Sequence, residues 1–153
     1  MYSANPGAAM NAYRGVGVES IAESASPHQL VLMLFDGARA AVALANASLQ
    51  GRNIPAKCEA ISKAIAIIDG GLKASLDLKV GGELAQNLSD LYAYMTQRLL
   101  QANLKNDLAA LEEVSILLQQ LGSAWATLAA TPLVATPATP ARPQGTATSY
   151  GTA

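Results

Sequence analysis

The sequence is poor in the residues that build most catalytic and metal sites. It has one cysteine, Cys58, and one histidine, His28, in 153 residues. A single cysteine excludes an intrachain disulfide framework, and a single histidine excludes a metal site that takes two imidazoles from one chain. A serine-histidine-aspartate triad has only His28 to draw on. We therefore expect a protein that is not an enzyme and that holds no metal or cofactor.

Charge is also scarce and nearly balanced. Charged residues make up 14% of the chain, and 10 Lys and Arg face 11 Asp and Glu, which gives a formal net charge of −1. Without a basic surplus the chain cannot neutralise a run of phosphates, so neither nucleic-acid binding nor a polybasic membrane anchor is expected. The interval 114–141 has no charged residue and is long enough to span a bilayer. Its glutamines, serines and prolines nevertheless favour a cytoplasmic chain without membrane insertion.

Targeting signals are missing from the beginning of the chain. The first thirteen residues contain no Lys or Arg, and no long apolar run follows them. This pattern does not fit a secretory signal peptide, which needs a basic start and an apolar stretch after it.

Apolar residues make up 51% of the chain and arrange themselves as four helices. Ser26, Pro27 and Gln29 form a capping-box start for the first helix, and Gly51 ends it. Asp107 is placed to cap the fourth helix. The predicted helices span residues 27–50, 55–77, 83–105 and 108–129.

Apolar side chains recur along the last three helices at steps of three and four residues, which is the spacing of packed bundle helices. The connections are short, so neighbouring helices should run antiparallel. We predict an all-α fold, an antiparallel up-down four-helix bundle over residues 26–130. Residues 1–25 are predicted to form a flexible arm with a short helix, and the Pro/Thr/Ala-rich residues 131–153 a disordered tail. The predicted seams are Cys58, Ile61, Ile65, Ile68, Leu72 and Leu76; Leu84, Leu88, Leu91, Met95, Leu99 and Ala102; and Leu111, Val114, Leu118, Leu121, Trp125 and Leu128.

The first helix has more apolar surface than one bundle face requires, because two apolar stripes run side by side along it. In one interpretation it is simply the most central helix. In the other, its second stripe forms the floor of a groove for an apolar helix of a partner. The residues that this hypothesis assigns to partner binding are Leu30, Val31, Leu34, Phe35, Ala38 and Val42.

Two further interpretations compete with a binding groove. A phosphorelay module would use His28, but that residue lies in the first turn of its helix and the next basic residue is Arg39. A structural module would homodimerise through the first helix. Cys58 falls on the seam of the second helix, where a buried and inert thiol is the expected outcome.

Several blocks of the sequence resemble the FliS family, the cytoplasmic export chaperones for flagellin. The resemblance covers roughly residues 10–128 and extends over all four predicted helices. The blocks that carry it are SPHQLVLMLFDG at 26–37, SKAI at 62–65, IID at 67–69, GGELA at 81–85, NL at 87–88, LY at 91–92 and RLLQANLKND at 98–107.

The resemblance implies a helical bundle that binds the C-terminal segment of flagellin and prevents its premature polymerisation. It also implies docking at the type III export gate through the protein FlhA and, in some members, binding of the anti-sigma factor FlgM. The family uses a short N-terminal apolar and tyrosine motif as a movable cap, which Met10 and Tyr13 match here. These two residues are therefore expected to contact the bundle and then the gate or regulator. We also expect that the chain can form a homodimer when it is free of flagellin.

Overall fold

A computed structural model describes the backbone of residues 25–130 and the side chains of residues 25–128. Over this range the protein is all-helical, with four α-helices and no β-strand, as the sequence predicts. A π-helical turn at Ile68–Lys73 continues the second helix. The helices are α1 Pro27–Gln50, α2 Ile54–Ile67, α3 Leu78–Lys105 and α4 Leu108–Ala130. The predicted N-terminal arm, apart from residue 25, and the predicted tail at 131–153 lie outside the described residues.

Helix α1 begins with a complete capping box. The Gln29 amide donates to Ser26 Oγ at 3.2 Å, and the Ser26 amide donates to Gln29 Oε1 at 2.9 Å. Pro27 occupies the first turn, where its missing N–H leaves no hydrogen bond unmade. At the other end the Gly51 amide donates to the Ala47 carbonyl at 2.9 Å. These local contacts fix both ends of α1.

The segment between α2 and α3 differs from the sequence prediction. Regular α-helix ends at Ile67 rather than at 77, and the π-helical turn contains Gly70 and Gly71. Helix α3 begins at Leu78 rather than at 83, because the Asp77 side chain caps it. The Asp77 carboxylate accepts hydrogen bonds from the backbone amides of Lys79 and Val80, each at 3.1 Å. Gly82, with φ 56° and ψ −134°, then kinks α3. The predicted start at 83 is the point where regular helix resumes after this kink.

One hydrophobic core joins the four helices, and α1 lies at its centre. Helix α1 packs mainly against α2 and α4. Small residues permit close approach on both sides: a Cβ added at Gly37 would lie 3.4 Å from Ile67 Cδ1, and one added at Gly122 would lie 3.5 Å from Phe35 Cβ. The structure thus supports the interpretation of α1 as the central helix of the molecule.

The buried face of α2 and of the π-helical turn after it contains the predicted Ile61 and Ile68 but is wider than the predicted seam. Cys58 is half-buried rather than fully enclosed, and the preceding Lys57 is buried instead. Ala60 and Ala64 occupy core positions that the seam of larger side chains did not include. The small side chains of α2 are therefore part of its buried face.

Helix α1 alone, among the described residues, is long and apolar enough to cross a membrane by length and composition. Its most apolar window has a mean hydropathy of 1.5, and 44% of that window is buried inside the protein. Two apolar stripes of α1 contribute to the core shared with the other helices. The apolar character of α1 is therefore accounted for by its central place in the fold.

Candidate functional site: an apolar groove between α1, α3 and α4

An open groove of about 210 Å³ lies between three of the four helices. Helix α1 contributes one side chain, residues 84–92 of α3 contribute three, and residues 121–128 of α4 contribute four. The residues that line this groove are Phe35, Leu84, Leu88, Tyr92, Leu121, Ala124, Trp125 and Leu128. We call it the apolar groove.

Three aromatic side chains form the floor of the apolar groove. Phe35, Tyr92 and Trp125 are each less than one-tenth exposed. The rings of Phe35 and Tyr92 are tilted by 53°, with their centroids 6.5 Å apart. This tilted arrangement is favourable for aromatic pairs, and it makes the floor a rigid, apolar surface.

Two leucines form an exposed rim. Leu84 is 51% exposed and Leu128 is 46% exposed, although each belongs to the apolar seam of its helix. Leu88 and Leu121 lie deeper and pack against the core. Leu84 follows the kink at Gly82 by two residues, and Leu128 lies near the end of α4. The groove therefore presents large apolar side chains to solvent around a concave apolar floor, as expected of a site for a partner's apolar segment.

A contact between the ends of α1 and α4 supports the floor. The Trp125 indole N–H donates to the His28 carbonyl at 3.1 Å. The His28 imidazole stacks on the indole, with the ring centroids 4.9 Å apart and the planes inclined by 26°. His28 is thus an exposed structural neighbour of the groove in the first turn of α1, rather than at the mid-helix position that a phosphorelay histidine requires.

The six residues of α1 that the sequence assigns to partner binding lie in two different environments in the structure. Phe35 is the one of them that lines the apolar groove. The other five are at most 1% exposed in the core, because α2 and α4 cover both flanks of α1, and they are Leu30, Val31, Leu34, Ala38 and Val42. These five residues therefore do not line the apolar groove, and their assignment to partner binding stays a prediction. Met10 and Tyr13 lie outside the described residues.

Both rim residues, and Trp125 of the floor, come from positions that the sequence assigned to core seams. Leu84 stands at the start of the α3 seam and Leu128 at the end of the α4 seam. A residue at the end of a seam can extend beyond the neighbouring helix and remain uncovered. The terminal position of Leu84 and Leu128 is therefore the sequence signal that could have identified them as rim residues. Tyr92 belongs to no predicted seam, although it is 1% exposed.

A polar cluster joins the two helices that form opposite walls of the groove. Tyr94 Oη donates to Glu113 Oε2 at 2.6 Å, and Arg98 Nε donates to Glu113 Oε1 at 2.6 Å. The hydrogen bond from Tyr94, followed by that from Arg98, lowers the pKa of Glu113 below its usual value. The same bond to Glu113 raises the pKa of Tyr94. The cluster ties α3 to α4 at the surface.

The apolar groove can bind but offers no reactive group. None of its lining residues is charged, and the only two with a polar side-chain atom are Tyr92 and Trp125. Across the described part of the chain, no three His, Cys, Asp or Glu residues come together in a way that could hold a metal ion. Binding here would depend on burial of apolar surface, at about 1.5–3 kcal/mol for each large aliphatic side chain fully enclosed.

Comparison with known proteins gives matches over most of the chain. Residues 9–132 match the family described as "Flagellar protein FliS". The flagellar secretion chaperone FliS of Salmonella typhimurium strain LT2 is 56% identical over 125 residues, which cover 82% of this chain and 90% of that protein. FliS of Escherichia coli K12 is 51% identical, over 74% of this chain and 84% of its own length. FliS of Bacillus subtilis 168 is 32% identical, over 77% and 86%.

Proposed function

Since this chain belongs to the FliS family of flagellar secretion chaperones, which are not enzymes, we propose that it is a cytoplasmic export chaperone for flagellin. In this proposal it binds the C-terminal segment of flagellin, prevents premature polymerisation and delivers the subunit to the type III export gate. The observation that carries the proposal is the apolar groove, whose rim leucines are about half exposed in the free chain.

The groove suits a partner segment that is apolar and unfolded until it binds. Burial of two or three large side chains against Phe35, Tyr92 and Trp125 would supply the favourable free energy. Ordering of the segment opposes that gain, so the complex is tight only if the segment covers surface beyond the groove. A flagellin segment with apolar residues at helical spacing meets both conditions.

The proposed arrangement of the helices is antiparallel and up-down. The turns that support it are short, since three residues separate α1 from α2 and two separate α3 from α4. Short turns bring consecutive helices back alongside each other. In this arrangement the start of α3 and the end of α4 lie at one end of the bundle, where the groove walls meet.

Met10 and Tyr13 are proposed to cap the apolar groove when flagellin is absent. The support is that α1 begins beside the groove, because His28 stacks on Trp125. Two or three apolar side chains would gain only a few kcal/mol at about 25 cal/mol per Å², and ordering entropy cancels much of it. Flagellin could therefore displace the cap and release Met10 and Tyr13 for FlhA or FlgM.

Homodimerisation through helix 1, the structural alternative, has less support than the chaperone function. The two apolar stripes that would form such an interface are largely buried in the core. The exposed side of α1 offers one large apolar side chain, Leu44, together with alanines and polar residues. A homodimer of the free chain would need another surface.

The test is a titration of the full chain with flagellin and with flagellin that lacks its C-terminal segment. Leu84→Ser and Leu128→Ser should each weaken binding of intact flagellin about tenfold, because each removes an apolar contact worth about 1.5 kcal/mol. The matched control is Leu104→Ser, which changes an 82% exposed leucine of α3 that does not line the groove. Truncated flagellin should not bind.

Circular dichroism must show that the variants remain helical. Equal binding by Leu84→Ser, Leu128→Ser and the control would contradict the groove as the flagellin site. Full binding of truncated flagellin would contradict the choice of segment. Light scattering of the free chain would show whether it is a monomer or a dimer.

A further inference from the structure

Lys57 is a buried lysine that forms no ion pair with any carboxylate of the described residues. Its side chain is 1% exposed, although it lies in the first turn of α2. Its Nζ donates to the Asn103 carbonyl at 2.8 Å and to Asn106 Oδ1 at 2.6 Å. These acceptors are 46 and 49 positions away in the sequence. One ammonium group thus connects the start of α2 to the end of α3.

The end of α3 compensates for the burial of this charge. Burial of an ammonium group is unfavourable unless its hydrogen bonds are replaced. The Asn103 carbonyl is among the last four of α3, which have no partner within the helix. The helix C-terminus also carries a partial negative charge, which stabilises a nearby cation. Lys57 therefore satisfies an open carbonyl and complements the helix dipole at once.

Asn106 supplies both a backbone conformation and a side-chain acceptor. It ends α3 in the left-handed region, with φ 53° and ψ 46°, and its amide donates to the Ala102 carbonyl. Glycine usually fills such a position because it has no Cβ. Asparagine also tolerates the conformation, and here the side-chain oxygen Oδ1 of Asn106 accepts the hydrogen bond from Lys57. The side chain adds a contact that glycine could not make.

We propose that Lys57, Asn103 and Asn106 form a latch that holds the turn between α3 and α4 against the start of α2. The latch lies at the opposite end of α3 from the apolar groove, because about 28 Å of helix separates Leu84 from Asn103 at about 1.5 Å per residue. The groove end of α3 carries the kink at Gly82. The latch fixes one end of α3, so that adjustment to a bound segment is confined to the kinked end.

This latch is independent of which partner the groove binds, and its first test is a double-mutant cycle on the full chain. The variants are Lys57→Met, Asn106→Gly and the two combined, with Lys63→Met as a control at an exposed lysine of the same helix. Each latch substitution should raise the unfolding equilibrium constant about tenfold, because a hydrogen bond to a charged group is lost. The control should leave it unchanged.

If the two side chains interact, the double variant should be less destabilised than the sum of the two single variants. Its unfolding equilibrium constant should be at least about threefold smaller than the value expected from additive effects. Asn106→Gly is a strict test, because glycine suits the left-handed backbone better than asparagine and any loss of stability comes from the side chain. Additive effects, or equal effects of Lys57→Met and Lys63→Met, would overturn the latch.

Hydrogen exchange separates a latch from a general contribution to stability. The amides of Asn106 and Asp107 both donate to the Ala102 carbonyl at the latched end of α3. Under native conditions they should exchange at least about tenfold faster in Lys57→Met, with amides around Leu88 affected less. If Lys57→Met does not fold, the same local acceleration is required of Asn106→Gly. Unchanged exchange at residues 106 and 107, or equal acceleration along all of α3, would refute the proposal.

Discussion

Trp125 and His28 join the two ends of the described chain, 97 positions apart in sequence, through a hydrogen bond from indole to backbone carbonyl. The stacked imidazole covers one face of the same indole. Because Trp125 also forms part of the floor of the apolar groove, this contact couples the shape of the groove to the position of the first turn of α1.

Substitution of Trp125 should separate the hydrogen bond from the packing. Trp125→Phe keeps most of the aromatic surface and loses the N–H donor, so it should reduce the free energy of unfolding by about 1 kcal/mol. Trp125→Ala should reduce it by about 3–5 kcal/mol, because it also leaves a cavity. Urea unfolding followed by circular dichroism measures both. Equal losses would show that the hydrogen bond, rather than the packing, dominates at this position.

A charge on the inner face of α1 should unfold the protein. Leu34 is 1% exposed and Val42 is fully enclosed, so Leu34→Asp and Val42→Asp each bury an unpaired carboxylate. The expected loss is more than about 3 kcal/mol, seen as loss of helical circular dichroism. Leu44→Asp, at a 58% exposed position of the same helix, is the control and should stay folded. A helical Leu34→Asp variant that only fails to bind flagellin would instead place the residue on the binding surface.

Gly82, which kinks α3, should be less replaceable than Gly70 of the π-helical turn. Gly82→Ala forces a residue with a Cβ to φ 56° and ψ −134°, and should cost about 1–3 kcal/mol of stability. It should also weaken flagellin binding, since Leu84 follows two residues later. Gly70→Ala is the control, because a Cβ there meets no atom within 4 Å; it should be neutral or stabilising by up to about 1 kcal/mol. Equal stability of the two variants would contradict strain at Gly82.

The cluster around Glu113 predicts a dependence of stability on acid pH. The pKa of Glu113 is lowered in the folded protein by the hydrogen bonds from Tyr94 and Arg98. The stabilisation that ionised Glu113 gives the folded state is therefore complete above the ordinary glutamate pKa of 4.5. It disappears as the pH falls through the lowered pKa of the folded state. Glu113→Gln should flatten this part of the stability curve, measured by urea unfolding from about pH 7 to about pH 2. Tyr94→Phe should move it toward higher pH; an identical curve in both variants would contradict the assignment.

The N-terminal ends of α1, α2 and α4 are set by local sequence, and this is why they could be predicted. Ser26, Asn53 and Asp107 each accept a hydrogen bond from a backbone amide three residues later. Such contacts depend on a side chain and its immediate neighbours alone. The kink in α3 is also local, but glycine is compatible with many conformations and its presence does not specify φ 56° at Gly82.

The apolar groove and the burial of Lys57 could not be predicted in the same way. A period of three or four residues identifies Leu84, Leu88 and Leu128 as apolar positions of a helix face. Their exposure depends on how far neighbouring helices extend beside them, which periodicity does not give. Lys57 is buried because Asn103 and Asn106 come to it from another helix. Only the tertiary arrangement brings these groups together.

The meeting of His28 with Trp125 has a consequence for competition at the groove. The start of α1 and the end of α4 both lie close to the rim, so a segment fused at either point would be tethered there, whatever its sequence. Over a short flexible connection, such tethering corresponds to a local concentration on the order of millimolar. A free ligand at a micromolar concentration must then bind about a thousandfold more tightly than a tethered segment to occupy the groove equally often. An affinity tag fused directly to either end of the described residues would enter the same competition, so the length of its linker would alter the apparent affinity for the ligand.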